Sequence, residues 1–139
     1  MNRGRRIAFD YGDVRIGVAI CDPDGILATP LPHLDARHPK LSAQISELFR
    51  EYEPVAIYVG RPKSMSGSEG IAVEKVEGFV EKLNAITELP ITFIDERLST
   101  VDAARRLREA GKSAKDARVL IDSMAAVAIL ESGLANEAR

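Results

Sequence analysis

The 139-residue chain is 45% hydrophobic and 29% charged with a formal net charge of -2, a balance that excludes a disordered, collagen-like or coiled-coil chain. At roughly 150 residues per domain it makes one domain spanning residues 1–139. The single cysteine, Cys21, excludes an intrachain disulfide and a Cys-based zinc site. No apolar run reaches membrane-spanning length and no signal peptide is visible after Met1, so the expected location is the cytoplasm, away from any membrane.

Residues 6–11 are short, apolar and acid-terminated, which predicts a buried strand. Residues 15–21 predict a second strand, and the intervening Gly12-Asp13-Val14 suits an antiparallel hairpin. A turn at Asp22–Gly25 leads into a third strand over 26–34, which Pro30 and Pro32 assign to a sheet edge. Leu41, Ile45, Leu48 and Phe49 stand at helical spacing in 40–52, and Pro54 ends that helix. Residues 55–60 predict a strand buried on both faces, and 61–68 a Gly-, Pro- and Ser-containing loop. A helix over 69–87 follows, then a strand over 91–96 and helices over 101–109 and 114–132. The order β-β-β-α-β-α-β-α-α predicts an α/β fold, a mixed sheet with helices on both faces and its later strands parallel to the first. Ligand sites in such sheets gather at the carboxyl ends of the parallel strands.

Three acids meet that expectation. Asp10 ends the first strand and Asp95-Glu96 ends the last. Asp122 lies in a helix whose neighbours on the same face are Val119, Ala125, Ala126 and Ile129, where an uncompensated carboxylate costs several kcal/mol. Each acid has a structural alternative: Asp10 as a turn cap, Glu96 paired with Arg97, Asp122 paired with Arg118. Together, three converging carboxylates favour a divalent cation between them, and all-oxygen ligation suits Mg²⁺ or Mn²⁺. Strand alternation sends Asp95 and Glu96 to opposite faces, so one of them is a primary ligand, and Glu96 is favoured. His33 and His38 lack zinc-ligand spacing and are expected at the surface.

The loop at 61–68 lacks the Gly-Lys-Ser/Thr ending of a Walker loop, yet it leads from a buried strand into a helix, a setting that suits an anion. Ser66 and Glu69 fit a capping box, the structural alternative. Arg61 and Lys63 favour phosphate contact. Residues 97–118 carry seven Lys/Arg against three Asp/Glu, which reads either as a solvated helix face or as a polyanion-binding edge.

Four blocks in one order, Asp10-Tyr11-Gly12-Asp13-Val14-Arg15-Ile16-Gly17-Val18-Ala19, Val59-Gly60-Arg61-Pro62 through Gly67-Ser68, Asp95-Glu96-Arg97-Leu98-Ser99-Thr100 and Asp122-Ser123-Met124-Ala125-Ala126, closely resemble the bacterial YqgF-like family of the ribonuclease H-like superfamily. The first block alone also resembles the phosphate loop of sugar kinases and actin-like ATPases, which need two such domains. The YqgF-like resemblance implies a ribonuclease H-like five-stranded mixed sheet and metal-dependent phosphodiester hydrolysis, in 5′-end maturation of precursor 16S ribosomal RNA or in Holliday-junction resolution. Asp10, Glu96 and Asp122 match the family's acidic positions and are expected to be catalytic metal ligands. Asp10 would bridge two Mg²⁺ or Mn²⁺ ions, Glu96 hold one and Asp122 complete the other. Arg15, Arg97, Ser99 and Thr100, with Arg61 and Lys63, are expected to contact substrate; Arg61 stands where the family more often has an apolar residue. Expected partners are precursor rRNA, ribosomal particles or branched DNA, with the protein a monomer or a homodimer. A non-catalytic nucleic-acid-binding module is the third reading, disfavoured because a pure binder gains by losing carboxylates near phosphates.

Overall fold

Continuous apolar runs form the middle of the sheet because its central strands are covered on both sides. In a computed structural model, the backbone is described over residues 3–61, 68–95 and 114–138, and side chains over 3–61, 70–95 and 123–138. The elements are β1 (Arg6–Tyr11), β2 (Arg15–Cys21), β3 (Ala28–Asp35), α1 (Leu41–Tyr52), β4 (Ala56–Arg61), α2 (Ser68–Ile86), β5 (Ile91–Asp95) and α3 (Ala114–Glu137). The five strands form one sheet in the order β3-β2-β1-β4-β5. β1 pairs antiparallel with β2 and parallel with β4, and β5 pairs parallel with β4.

Side-chain alternation splits the core into two layers. Ala8, Ala19, Tyr58 and Ile94 face α3 and pack on Met124, Ala126, Val127, Ile129, Leu130 and Leu134. Ile7, Phe9, Val18, Ile57 and Val59 face the other way, onto Leu41 and Ile45 of α1 and Val76, Phe79 and Leu83 of α2. Phe79 anchors α2 over β1: its ring meets Phe9 edge-to-face at 5.6 Å and stacks on Tyr11 at 5.0 Å. α1 closes at Glu53, whose backbone is left-handed (φ 48°) and whose N–H donates to the Phe49 carbonyl, with Pro54 preventing continuation.

Three of the boundaries that differ from the sequence expectation have a visible cause. Arg61 belongs to β4 and not to the following loop, because it is in register with Asp95 of β5. The third strand begins at Ala28, since Asp22 holds the turn open: its Oδ1 accepts the Ile26 and Leu27 N–H groups at 2.7 and 2.8 Å. The last helix runs beyond Ser132 to Glu137. Gly133, which reads as a stop, instead lets the helix touch the sheet: a Cβ there would lie 2.5 Å from Tyr58 Cε2. The expected helix over 101–109 and the Ser66–Glu69 capping box lie outside the described residues.

The far end of α3 is fastened at the start of β1. Arg6, only 2% exposed, donates from Nε and Nη2 to the two carboxylate oxygens of Glu137 at 3.2 and 3.0 Å. Among the described residues, no helix is long and apolar enough to cross a membrane.

Candidate active site at the carboxyl edge of the sheet

β1, β4 and β5 all end at one edge. Asp10 is half-buried there, opposite Gly17 of β2, and its alternation with Ala8 puts it on the α3 face. Ile94 shares that face, so Asp95, one residue on and in register with Arg61, takes the other. Asp95 therefore does not share a face with Asp10. Glu96 lies outside the described residues.

The β1–β2 turn that carries Asp13 is tight because Gly12 comes against the Arg15 carbonyl; a Cβ would approach it to 2.7 Å. Arg15 begins β2 on the exposed rim, across from Asp35 of β3. One slip in the β2–β3 register, between Ile16↔Leu34 and Val18↔Leu31, leaves Pro32 and His33 opposite Gly17 alone. Such bulges re-aim strands beside functional sites.

α3 is tied to the sheet at this bulge. Ser123 is fully buried, and its Oγ accepts the Val18 N–H at 3.2 Å while donating to the Leu31 carbonyl. The hydroxyl stands between two backbone groups that would otherwise face each other across the ladder. Val18 is opposite Phe9, one residue before Asp10. With Glu137 at Arg6 and Ser123 at this level, α3 runs antiparallel to β1 and its earlier turns lead toward the carboxyl edge. Asp122 lies on α3 immediately before Ser123 and one turn before Ala126; its side chain is outside the described residues. The bridge made by Ser123 was missed from sequence. Its signal was present: a hydroxyl in an apolar helix must find buried partners.

On the opposite face of the edge, two cations are held by carboxylates. Arg61 Nη2 lies 3.4 Å from Glu77 Oε1, with its guanidinium 5.0 Å from the Phe93 ring centroid. Lys75 Nζ lies 3.0 Å from Asp13 Oδ2. Lys63, Arg97, Ser99 and Thr100, with most of the positive block over 97–118, lie outside the described residues, and the remaining side chains of that block are likewise not described. His38 is only half-exposed, its Nδ1 accepting the Lys40 N–H at 3.0 Å, and His33 is half-buried; among the described residues neither belongs to a cluster that could hold a metal ion. Among the described residues no three His, Cys, Asp or Glu side chains come together; two of the three acids of interest are outside that set.

Residues 4–136 match the family RuvX, described as Holliday junction resolvase. A Streptomyces coelicolor protein named "Putative pre-16S rRNA nuclease" is 47% identical, the alignment covering 99% of this chain and 83% of that protein. One of the same name from Rhodococcus jostii is 46% identical over 99% of this chain and 80% of its own. Among solved structures, the Thermus thermophilus RuvC complex with a Holliday junction substrate matches with a TM-score of 0.58 at 16% identity, covering 97% of this chain and 96% of that one. The Fowlpox virus resolvase bound to junction DNA matches with a TM-score of 0.63 at 11% identity over 97% and 99%. These likenesses share the ribonuclease H-like arrangement of a five-stranded mixed sheet with helices on both faces.

Proposed function

The chain belongs to the RuvX family, and from that footing we propose that it is a metal-dependent endonuclease that hydrolyses phosphodiester bonds in the 5′-end maturation of precursor 16S ribosomal RNA. The observation that carries this reading is the meeting of β1 and α3 at one edge. Asp10 is half-buried on the α3 face, and Ser123 pins α3 at the level of Phe9 and Val18. Position 122 precedes that pin, on the side toward the edge.

Asp10, Glu96 and Asp122 would hold the cation. Their donor chemistry, three carboxylates without Cys or His, fits Mg²⁺ or Mn²⁺. Such ions, when bound, supply an activated water nucleophile and offset the charge on the leaving oxygen. The chain's own cations do the remaining work. Arg15 and Arg61 stand on the exposed rim of the edge, where Arg15 can neutralise a phosphate beside the acids and Arg61 a flanking phosphate on the opposite face. Lys63, Arg97, Ser99 and Thr100 are assigned the same task from their motifs. The work would be done in the cytoplasm on nucleic acid within ribosomal particles.

A second reading, cleavage of a four-way DNA junction, is favoured by the family's description; it requires two sites and hence a dimer. The test is cleavage of labelled precursor-end rRNA, single-stranded RNA and a four-way junction with Mn²⁺, Mg²⁺ or EDTA. Metal-dependent cutting of RNA that Asp10→Asn abolishes supports the proposal. Symmetric cutting of the junction alone replaces it with the resolvase. Binding without cutting, unchanged by Asp10→Asn, leaves a binding module and overturns both.

A further inference from the structure

We propose that Lys75 is a phosphate-positioning residue of this site, with Asp13 as the counter-ion that the nucleic-acid backbone displaces. The proposal rests on the nuclease reading and adds to it a residue that none of the motifs contains.

Three observations converge on it. First, Lys75 has no acid of its own helix to pair with. Its neighbours at i-4, i-3, i+3 and i+4 are Ile71, Ala72, Gly78 and Phe79, so none of the positions where a helix offers an ion pair is acidic. Second, Phe79, one turn on, is stacked on Tyr11 at 5.0 Å. That contact lays the preceding turn of α2 over the β1–β2 turn, which is why the ammonium reaches Asp13 across 62 residues of sequence, at 3.0 Å. Asp13 is three residues beyond Asp10 on the rim of the same edge. Third, the arrangement is doubled: Arg61 at the end of β4 is held by Glu77, two residues from Lys75 on the same helix. Both exposed cations are thus anchored by α2, Lys75 on it and Arg61 through Glu77, on the side of the sheet opposite the face that carries Asp10.

Both pairs are exposed, the Lys75 and Asp13 side chains to 48% and 57%. Exposed ion pairs hold weakly and are screened by salt. A phosphate offers the same charge as Asp13 with more acceptor oxygens, and a backbone crossing the edge brings phosphates to both cations. Until then Asp13 keeps Lys75 extended toward the edge. Once displaced, Asp13 faces the polyanion as a like charge, so it also opposes binding.

The test is binding of fluorescein-labelled single-stranded RNA to the full chain, in EDTA, from 50 to 250 mM KCl, for wild type, Lys75→Ala, Lys75→Arg and Asp13→Asn. Loss of one phosphate contact lowers the slope of log K against log salt by about 0.7 on a single strand. The proposal expects that drop for Lys75→Ala, restoration by Lys75→Arg, and tighter binding for Asp13→Asn. In cleavage with Mn²⁺, the cost of Lys75→Ala falls on KM rather than kcat. A purely structural ion pair moves neither slope nor KM, and Lys75→Ala with the wild-type slope overturns the proposal while leaving the nuclease reading intact. Wild type that neither binds nor cuts RNA overturns both.

Discussion

Ser123 Oγ accepts the Val18 N–H at 3.2 Å, where the β2–β3 register slips, and the same hydroxyl donates to the Leu31 carbonyl. One side chain of α3 thus completes a broken rung of the sheet. Replacing it with Ala leaves a buried donor and a buried acceptor without their partner, each worth about 1–3 kcal/mol. Ser123→Ala is expected to lower stability by about 2–4 kcal/mol, read by urea denaturation. Cleavage measured well below Tm is expected to fall further than the unfolded fraction explains, because position 122 moves with its neighbour. Thr, which keeps the hydroxyl, restores part of both.

Gly133 makes the opposite case from the usual helix glycine. Gly→Ala in an exposed helix interior gains about 1 kcal/mol. Here the added Cβ would lie 2.5–2.7 Å from three atoms of the Tyr58 ring, and Tyr58 is buried between β4 and α3. Overpacking of this kind costs about 1–3 kcal/mol. Gly133→Ala is therefore expected to be destabilising, and a Tyr58→Leu background to relieve the loss. Equal effects in both backgrounds would show that the ring is not what Gly133 accommodates.

These two residues also mark how far the sequence could be read. The succession of elements, the hairpin, the edge position of β3 and the helices on both faces followed from apolar periodicity and from Pro30 and Pro32, because burial on one or both faces writes itself directly into the pattern. Asp10 at the end of β1 followed from the same logic. Contacts between elements distant in the chain did not. Gly133 looks the same in sequence whether it ends a helix or admits a tyrosine ring. Arg6 reads as an ordinary strand residue until Glu137, 131 positions away, is found beside it. Ser123 was in view only as the neighbour of a more conspicuous acid, and nothing in the sequence singled out Lys75.

Arg6 and Glu137 give a third expectation. Arg6 is only 2% exposed, whereas the Glu137 side chain is 32% exposed. Removing the carboxylate leaves a buried guanidinium with one partner fewer, a loss that reaches about 3–5 kcal/mol when both partners are buried. With Glu137 partly solvated, Glu137→Ala is expected to cost about 2 kcal/mol. Arg6→Met, which removes the charge itself and keeps apolar volume, is expected to cost less. Both can be ranked by their urea midpoints, and the reverse order would mean that the buried charge is compensated elsewhere.

Asp22 provides a pH test remote from the site. The backbone N–H of Leu27, and then that of Ile26, donate to its carboxylate and hold its pKa below the ordinary value of 3.8. A folded pKa below the unfolded one stabilises above the unfolded value, and that stabilisation is lost as pH falls through the folded value. Asp22→Asn keeps an acceptor oxygen but cannot titrate. The variant is expected to lose less stability than wild type between about pH 4 and pH 2, measured by urea midpoints across that range. Parallel curves for the two proteins would remove Asp22 from the acid response.

The acids at the edge separate by face, and that separation can be read in activity. Asp10 shares its face with Ala8 and Ile94, while Asp95 is one residue beyond Ile94 and takes the other side. On the proposed reading a cation held by Asp10 would draw its second ligand from the α3 face, which Asp95 does not share, and Glu96 is favoured over Asp95 on that ground. Losing a ligand that organises the reacting charge costs several kcal/mol, or roughly a thousandfold in rate for about 4 kcal/mol. Asp10→Asn and Glu96→Gln are expected to fall by at least that factor at unchanged Tm, and Asp95→Asn to stay within about tenfold of wild type. Single-turnover cleavage at saturating Mn²⁺ distinguishes the cases. If Asp95→Asn falls with Asp10→Asn while Glu96→Gln does not, the strand turns over before its last residue and the metal is held from the opposite face.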